Sequence, residues 1–422
     1  MAGRMKYLII VGDGMADYPL EGLGGKTPLM KARTPFMDKM AKQGEIGLVK
    51  TVPDGFNPGS EIANLSILGY DPRLYYRGRG PLEAASLGIE LRPDDVAFRC
   101  NLVTLRDDGN QTFLDDFAAG HISDEEARQI VLDLDRKFGT DEIKFYPGVS
   151  YRHVMVWKDG MAKYPNLDHL GLTPPHDIIG KEIAPYLPGS GDGGPASEGA
   201  EGGAHRILEL TNRSQPFLRN HSVNLSREKR EQRPANSIWL WGQGRAPQMV
   251  TLKERFGIEG FVISAVHLLK GIGVCAGLEV IEVPGATGYF DTNYEGKAQY
   301  ALANLKKMDL GFVHVEAPDE AGHMGDPRLK IEAIEAFDEK IVGAILKGLE
   351  AFPDYKILLL PDHPTPISLR THAAEPVPYV IYSGQEGKGR PSVEGFDELS
   401  AKRSGIYVHE GFELIERFLG LS

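Results

Sequence analysis

Cysteine is nearly absent from this chain of 422 residues, where Cys100 and Cys275 are the only two. Two thiols cannot build a disulfide framework or a thiolate metal site, and their scarcity fits a reducing cytosol. Long hydrophobic runs are missing as well. The run Tyr7-Leu-Ile-Ile-Val11 ends after a few residues in Gly12-Asp13-Gly14, too short for a membrane span or a signal h-region. It reads as a buried strand, and the chain is expected in the cytoplasm with no membrane partner. Positive charge is in deficit, with 47 Lys and Arg against 59 Asp and Glu and a net charge of −12. Binding to nucleic acid rests on a positive surface field, so that class of partner is not expected. A local basic pocket for a small anion is still compatible. Nucleotide-loop patterns are lacking too: Asp17 stands where a dinucleotide loop starting at Gly12 needs its third glycine, and Gly22-Leu-Gly-Gly-Lys26-Thr27 lacks the glycine spacing of a phosphate loop.

What is present is an ordinary globular composition, 41% hydrophobic and 25% charged. A chain this long favours two or three domains over one. Short apolar runs ending in Gly-rich turns alternate with amphipathic segments, the pattern of a doubly wound, mostly parallel α/β sheet covered by helices. Strands are expected at Met5 to Val11, Leu310 to Val315, Lys356 to Leu360 and Val377 to Tyr382. Helices are expected at Thr34 to Gln43, with Pro35 in its first turn, and along Pro327 to Leu349. The middle of the chain carries mixed strands such as Ala97 to Leu105 and Tyr151 to Trp157. A smaller α/β domain is therefore expected at about 81–244, inserted into a core made of 1–80 and 245–422. Within it, Leu187 to His205 reads as a Gly-rich linker, and the charged run Arg227 to Arg233 as a solvated face. No internal repeat is visible.

In an open parallel sheet, ligands bind beyond the carboxyl ends of the strands. Asp13 follows the first strand, Asp319 follows Phe312-Val-His-Val-Glu316, and Asp362-His363 follows Ile357-Leu-Leu-Leu360. His323 lies four residues beyond Asp319, a spacing that puts both on one helix face, and His372 lies nine beyond His363. These six oxygen and nitrogen donors suit Mn²⁺, Zn²⁺ or Mg²⁺, with imidazole drawing the set away from pure Mg²⁺. Six ligands exceed one ordinary site, which points to two metals. Any one of these residues alone reads as a loop cap or a structural histidine; their shared sheet edge is what makes them a site.

Ser60, in Asn57-Pro-Gly-Ser60-Glu-Ile-Ala-Asn-Leu65, precedes an apolar periodic run and reads as a helix N-cap. That position is compatible with a nucleophile. Unpaired amides and the positive end of the helix dipole favour an alkoxide and a bound phosphate, and a nearby metal would lower the hydroxyl pKa.

Ile10-Val-Gly-Asp13-Gly-Met, Gly59-Ser60-Glu-Ile-Ala-Asn64-Leu, Asp319-x-x-x-His323, Pro361-Asp362-His363 and Thr371-His372 together resemble the alkaline phosphatase superfamily. Within it they look most like the archaeal-type cofactor-independent phosphoglycerate mutases. The resemblance implies one metal held by Asp13, Ser60, Asp362 and His363 and another by Asp319, His323 and His372, with Mn²⁺ the expected ion. It implies that Ser60 carries the phosphoryl group between the 3- and 2-oxygens of glycerate. It further implies an alkaline-phosphatase-like core interrupted by a substrate-handling domain. Arg152, His153 and Lys270 resemble substrate-contacting positions of that family. Arg73, Arg77 and Arg79 follow the Ser60 segment and could neutralise a carboxylate or phosphate. The segments Pro53 to Ser60 and Gly80 to Ser86 also resemble a proposed homoserine kinase branch, so another small phosphoryl acceptor stays open. A non-catalytic binding protein on this fold would not need Ser60 with a full ligand set.

Overall fold

The computed structural model describes residues 4–189, 199–384 and 393–421. In chain order its strands are β1 (Lys6–Gly12), β2 (Glu45–Val49), β3 (Val96–Asp108), β4 (Gln111–Asp116), β5 (Ile143–Val149), β6 (Arg152–Trp157), β7 (Ser237–Gly244), β8 (Gly260–Ile263), β9 (Glu279–Val280), β10 (Leu310–Val315), β11 (Tyr355–Leu360), β12 (Val377–Ser383) and β13 (Tyr407–Val408). Two compact units contain them. Met1–Tyr76 and Gln248–Ser422 form one unit, and Arg77–Pro247 forms the other.

The discontinuous unit is built on an eight-stranded sheet in the order β13-β2-β12-β11-β1-β10-β8-β9. All neighbours are parallel except at β12, which is antiparallel to both β11 and β2. The central strands are apolar on both faces, since helices cover each side and leave no solvated face for polar residues: every residue of β10 and β12 is buried. Register aligns the ends that matter. Val11 lies beside both His314 and Leu360, and Gly12 beside Val315, so β1, β10 and β11 finish level with one another. Because β12 is reversed against both neighbours, β2 runs in the direction of β11 and also delivers the chain towards that edge.

Local signals account for the covering helices. Pro35 opens the helix Pro35–Gln43, as a residue with no amide to satisfy does at a first turn. Asp326 caps Pro327–Phe337 by accepting from the amides of Arg328 and Leu329. The long helix expected to Leu349 is interrupted by a π-helical segment at Asp338–Gly343 before Ala344–Leu349. There Asp338 turns aside to accept from the amides of Phe36 and Met37.

In the Arg77–Pro247 unit every strand pairing is antiparallel: β3 pairs with β4, β6 and β7, and β5 with β6. Its helices therefore lie against a sheet rather than crossing between parallel strands. The core gathers Phe98, Leu102, Ile130, Leu134, Met155 and Ile207. Two expectations change here. His205 lies inside the helix Glu201–Arg219, so the linker is shorter than its composition suggested, and residues 190–198 of that stretch lie outside the described residues. Arg227, read as part of a solvated run, is buried: its guanidinium meets Glu126 and donates to Ala119 O at 2.7 Å. A pairing partner distant in sequence turned a surface charge into an interior one. No described helix is long and apolar enough to cross a membrane.

Candidate active site

Three strand ends and one helix start meet at the edge fixed by that register. Asp13 leaves β1, Asp362 and His363 leave β11, and the helix Ala317–Met324 after β10 carries Asp319 and His323. Their donor atoms cluster: those of Asp13, Asp362 and His363 lie within 4.8 Å of one another, and so do those of Asp319, His363 and His372. The i, i+4 reading of Asp319 and His323 is realised, with His323 Nε2 3.1 Å from Asp319 Oδ2. His323 Nε2 also faces His372 Nε2 at 3.1 Å.

Ser60 joins the first group, its Oγ 3.2 Å from His363 Nε2. It is not the cap of its helix. Gly59 takes that position and Ser60 opens the helical turn of Ser60–Ile67, where first-turn amides have no helical acceptor of their own. Asn64, one turn on, donates to Ser60 O at 2.8 Å and to Asp362 Oδ2 at 2.9 Å. Both oxygens can only accept, so the amide orientation is forced and Asn64 Oδ1 is left buried without a partner. Asp362 Oδ1 takes the amides of Gly14 and His363 at 3.1 and 2.8 Å. Gly14 has a φ of +59°, and a Cβ there would collide with Asp319 and Thr365. Glycine is required on both counts.

The electrostatics fit cations held among these donors. Burial first, then the charges of Asp362 and Asp319, push the Asp13 carboxyl well above its ordinary range, and Asp13 Oδ1 has no hydrogen-bond partner. Carboxylates packed this closely in a desolvated pocket repel one another unless positive charge enters. Burial opposes ionisation of Asp319, yet hydrogen bonds with His323 and His372 hold it well below. The hydrogen bond with Asp319 in turn raises His323 to about 9. Two imidazole nitrogens facing one another beside a carboxylate, with no thiolate nearby, form an oxygen and nitrogen donor set suited to divalent metal ions.

Behind Asp13 lies a buried set of polar groups that the sequence reading did not single out. His314 Nε2 makes an ion contact with Asp13 Oδ2 at 3.2 Å, and its Nδ1 lies 3.2 Å from Glu316 Oε1. Lys297 Nζ donates to His314 O at 3.0 Å. Burial opposes protonation of His314, but Asp13 and then Glu316 raise it to about 10. The signal was legible: a histidine inside an all-apolar strand next to the strand that carries Asp13.

The expected substrate residues fall in both units. Arg73, in the short helix Pro72–Tyr75, is paired with Asp71 at 2.8 Å and Glu410 at 2.9 Å. Lys270 is buried and donates to both oxygens of Glu282 at 2.7 and 2.8 Å. In the other unit, Arg152 opens β6 exposed, its guanidinium 5.4 Å from the Tyr151 ring centre. His153 is buried; its Nδ1 accepts from the Gly148 amide at 3.0 Å, while Nε2 has no partner. Burial, then the Arg152 charge, lowers it to about 3. Arg79 lies 5.7 Å from the Trp241 ring centre.

Comparison with known proteins gives concordant matches. A sequence model for the family described as 2,3-bisphosphoglycerate-independent phosphoglycerate mutase matches residues 41–224. A Geobacter sulfurreducens protein described as a probable 2,3-bisphosphoglycerate-independent phosphoglycerate mutase is 52% identical over 415 residues, spanning 98% of this chain and 100% of its own. A Methanosarcina barkeri protein named 2,3-bisphosphoglycerate-independent phosphoglycerate mutase is 52% identical over 412 residues, 97% of this chain and 98% of its own. Among solved structures, a Pyrococcus horikoshii protein superposes with a TM-score of 0.81 at 30% identity, covering 99% of this chain and 97% of that one. The cofactor-independent phosphoglycerate mutase of Thermoplasma acidophilum gives 0.64 at 26% identity, covering 99% of both chains.

Proposed function

The chain belongs to the 2,3-bisphosphoglycerate-independent phosphoglycerate mutase family, and from that membership we propose that it interconverts 3-phosphoglycerate and 2-phosphoglycerate through a phosphoserine on Ser60. The activity is that of an isomerase, an intramolecular phosphotransfer, placed in glycolysis and gluconeogenesis in the cytoplasm. The observation that carries the reading is Ser60 Oγ at the first turn of its helix, 3.2 Å from His363 Nε2, with two groups of metal donors meeting at His363.

Asp13, Ser60, Asp362 and His363 would hold one divalent ion and Asp319, His323 and His372 a second, with Mn²⁺ the proposed metal. When bound, such ions neutralise phosphate oxygens and lower the pKa of a nearby hydroxyl. The remaining work falls to the chain. Ser60 Oγ gives up its proton and bonds to phosphorus as the bond to the glycerate 3-oxygen breaks, and that oxygen takes a proton. The glycerate then presents its 2-hydroxyl, which gives up its proton and bonds to phosphorus as the Ser60 ester breaks, and Ser60 Oγ takes a proton to restore its hydroxyl. The positive end of the helix dipole favours the phosphoryl group throughout. Asn64 and the amides of Gly14 and His363 hold Asp362 in one orientation, so no reorganisation is needed at transfer.

Water would divert phosphoserine to hydrolysis, so the site must be closed while glycerate turns. The Arg77–Pro247 unit is proposed as the substrate-handling part, with Arg152 and His153 as contacts. Lys270 and Arg73 could serve only by leaving Glu282 and the Asp71–Glu410 pair.

Mn²⁺-loaded protein should convert 3-phosphoglycerate in an enolase-coupled assay with no bisphosphoglycerate added, and mass spectrometry of quenched enzyme should find phosphate on Ser60. Failure to interconvert the two monophosphates overturns the assignment. ATP-dependent phosphorylation of homoserine would replace it with the kinase reading.

A further inference from the structure

Thr365 lies two residues beyond His363 and was not singled out by any sequence pattern, yet it touches both groups of metal donors. Its side chain is fully buried. Its Oγ1 bonds to Asp319 Oδ1 and lies 3.3 Å from His363 Nδ1. The backbone on either side is fixed: the Thr365 amide donates to Ala16 O at 3.2 Å, and the fully buried Lys330 donates to Thr365 O at 2.8 Å. Space around the residue is closed as well. A Cβ placed on Gly14 would strike Thr365 Oγ1, and one placed on Gly322 would lie 2.7 Å from its methyl group.

A hydroxyl has a single proton to donate. The Asp319 carboxylate can only accept, so that proton goes to Oδ1, and the lone pairs of Oγ1 are left to accept from His363. Nδ1 must then carry the ring hydrogen. In a neutral imidazole this places the free lone pair on Nε2, the nitrogen that faces Ser60 Oγ at 3.2 Å. Asp319, Thr365, His363 and Ser60 thus form one directed chain across the site.

We propose that Thr365 is a positioning residue that fixes the tautomer and ring orientation of His363 and, through the same hydroxyl, the orientation of Asp319, so that the two halves of the metal centre are set relative to each other by one side chain. Groups that orient metal ligands in this way raise metal affinity by about 10- to 100-fold. The proposal rests on the reading of Asp319 and His363 as metal ligands.

The test compares wild type, Thr365→Val and Thr365→Ser, with folding monitored by circular dichroism and thermal melting. Valine keeps the shape and removes the hydroxyl; serine keeps the hydroxyl and removes the methyl. Calorimetric titration with Mn²⁺ alone should show the valine variant binding about 10- to 100-fold more weakly. Its kcat should fall by a similar factor with KM for 3-phosphoglycerate within about twofold. Serine should restore affinity and kcat to within about threefold of wild type. Valine matching wild type overturns the proposal, and so does a folded serine variant as impaired as valine, since the methyl would then be what matters. Wild type that binds no divalent ion instead overturns the metal reading beneath it. One readout needs no variant. In Mg²⁺-loaded wild type, the ¹⁵N–¹H spectrum should show His363 Nδ1 carrying a proton protected from exchange, and an unprotonated Nδ1 overturns the proposal even where the valine chain fails to fold.

Discussion

The two halves of the proposed metal centre are built differently. On the side of Ser60, Asp13, Asp362 and His363 are at most 3% exposed and sit in tight turns directly after strands. The Asp362 oxygens are tied to backbone amides and to Asn64. On the other side, the His323 side chain is 35% exposed and that of His372 22%. These side chains come from a helix and from a loop, and their nearest partners are one another and Arg370 O. Rigid strand ends suit the half proposed to hold the nucleophile, where position must be kept to within fractions of an ångström.

Ser60→Ala breaks the contrast at its centre and has the largest expected effect. It should lower kcat by at least about 10⁴-fold while leaving the fold and rim-side metal binding in place. Activity close to wild type in a purified, metal-loaded Ser60→Ala chain would remove Ser60 from the nucleophile role. Next comes a matched pair. Asp362→Asn should bind metal more weakly and lose more activity than His323→Asn. Metal titration with steady-state kinetics on both variants decides it, and equal losses would mean that burial and bracing do not separate the halves.

Lys330 underlies both halves and probes what they share. It is fully buried and donates to Ala16 O, Thr365 O and Asp17 Oδ2, bridging the loop after β1 to the loop after β11. Lys330→Met leaves Asp17 buried without its counter-charge and should cost about 3–5 kcal/mol in denaturant unfolding. Combining it with Asp17→Asn should recover part of that loss; a single variant as stable as wild type would rule out the brace. The smallest effect is a pH dependence. Burial raises the Glu398 carboxyl, which accepts from Thr27 and the Asp17 amide, from 4.5 to about 7. The folded chain therefore holds its proton more tightly than the unfolded chain. The stability this provides is present below about pH 4.5 and is lost as the pH rises to about 7, by on the order of 1 to 3 kcal/mol. Glu398→Gln should flatten that decline in melts at pH 5 and 8, and an unchanged slope would assign it to other groups.

Much of the centre was legible because parallel strands obey a short-range rule. An apolar run that stops at a carboxylate or histidine places that residue at the binding edge, which located Asp13, Asp319, Asp362 and His363. The helical spacing of Asp319 and His323 is equally local. Other features were not legible. Whether Ser60 or Gly59 caps the helix depends on how the preceding loop enters it. The interior position of Arg227 depends on Glu126, a hundred and one residues away. Thr365 carries no motif.

The sequence by itself determined which side chains could bind metal and accept phosphate, because strand period, helix period and side-chain chemistry are local properties. Only the tertiary structure decided that they converge, that His363 stands between both donor groups, and that Thr365 links them. Those facts depend on strand order and register, in which β1 lies between β10 and β11 although some three hundred residues separate them in the chain. Contacts between remote segments are set by which faces bury together, and no local pattern encodes that choice.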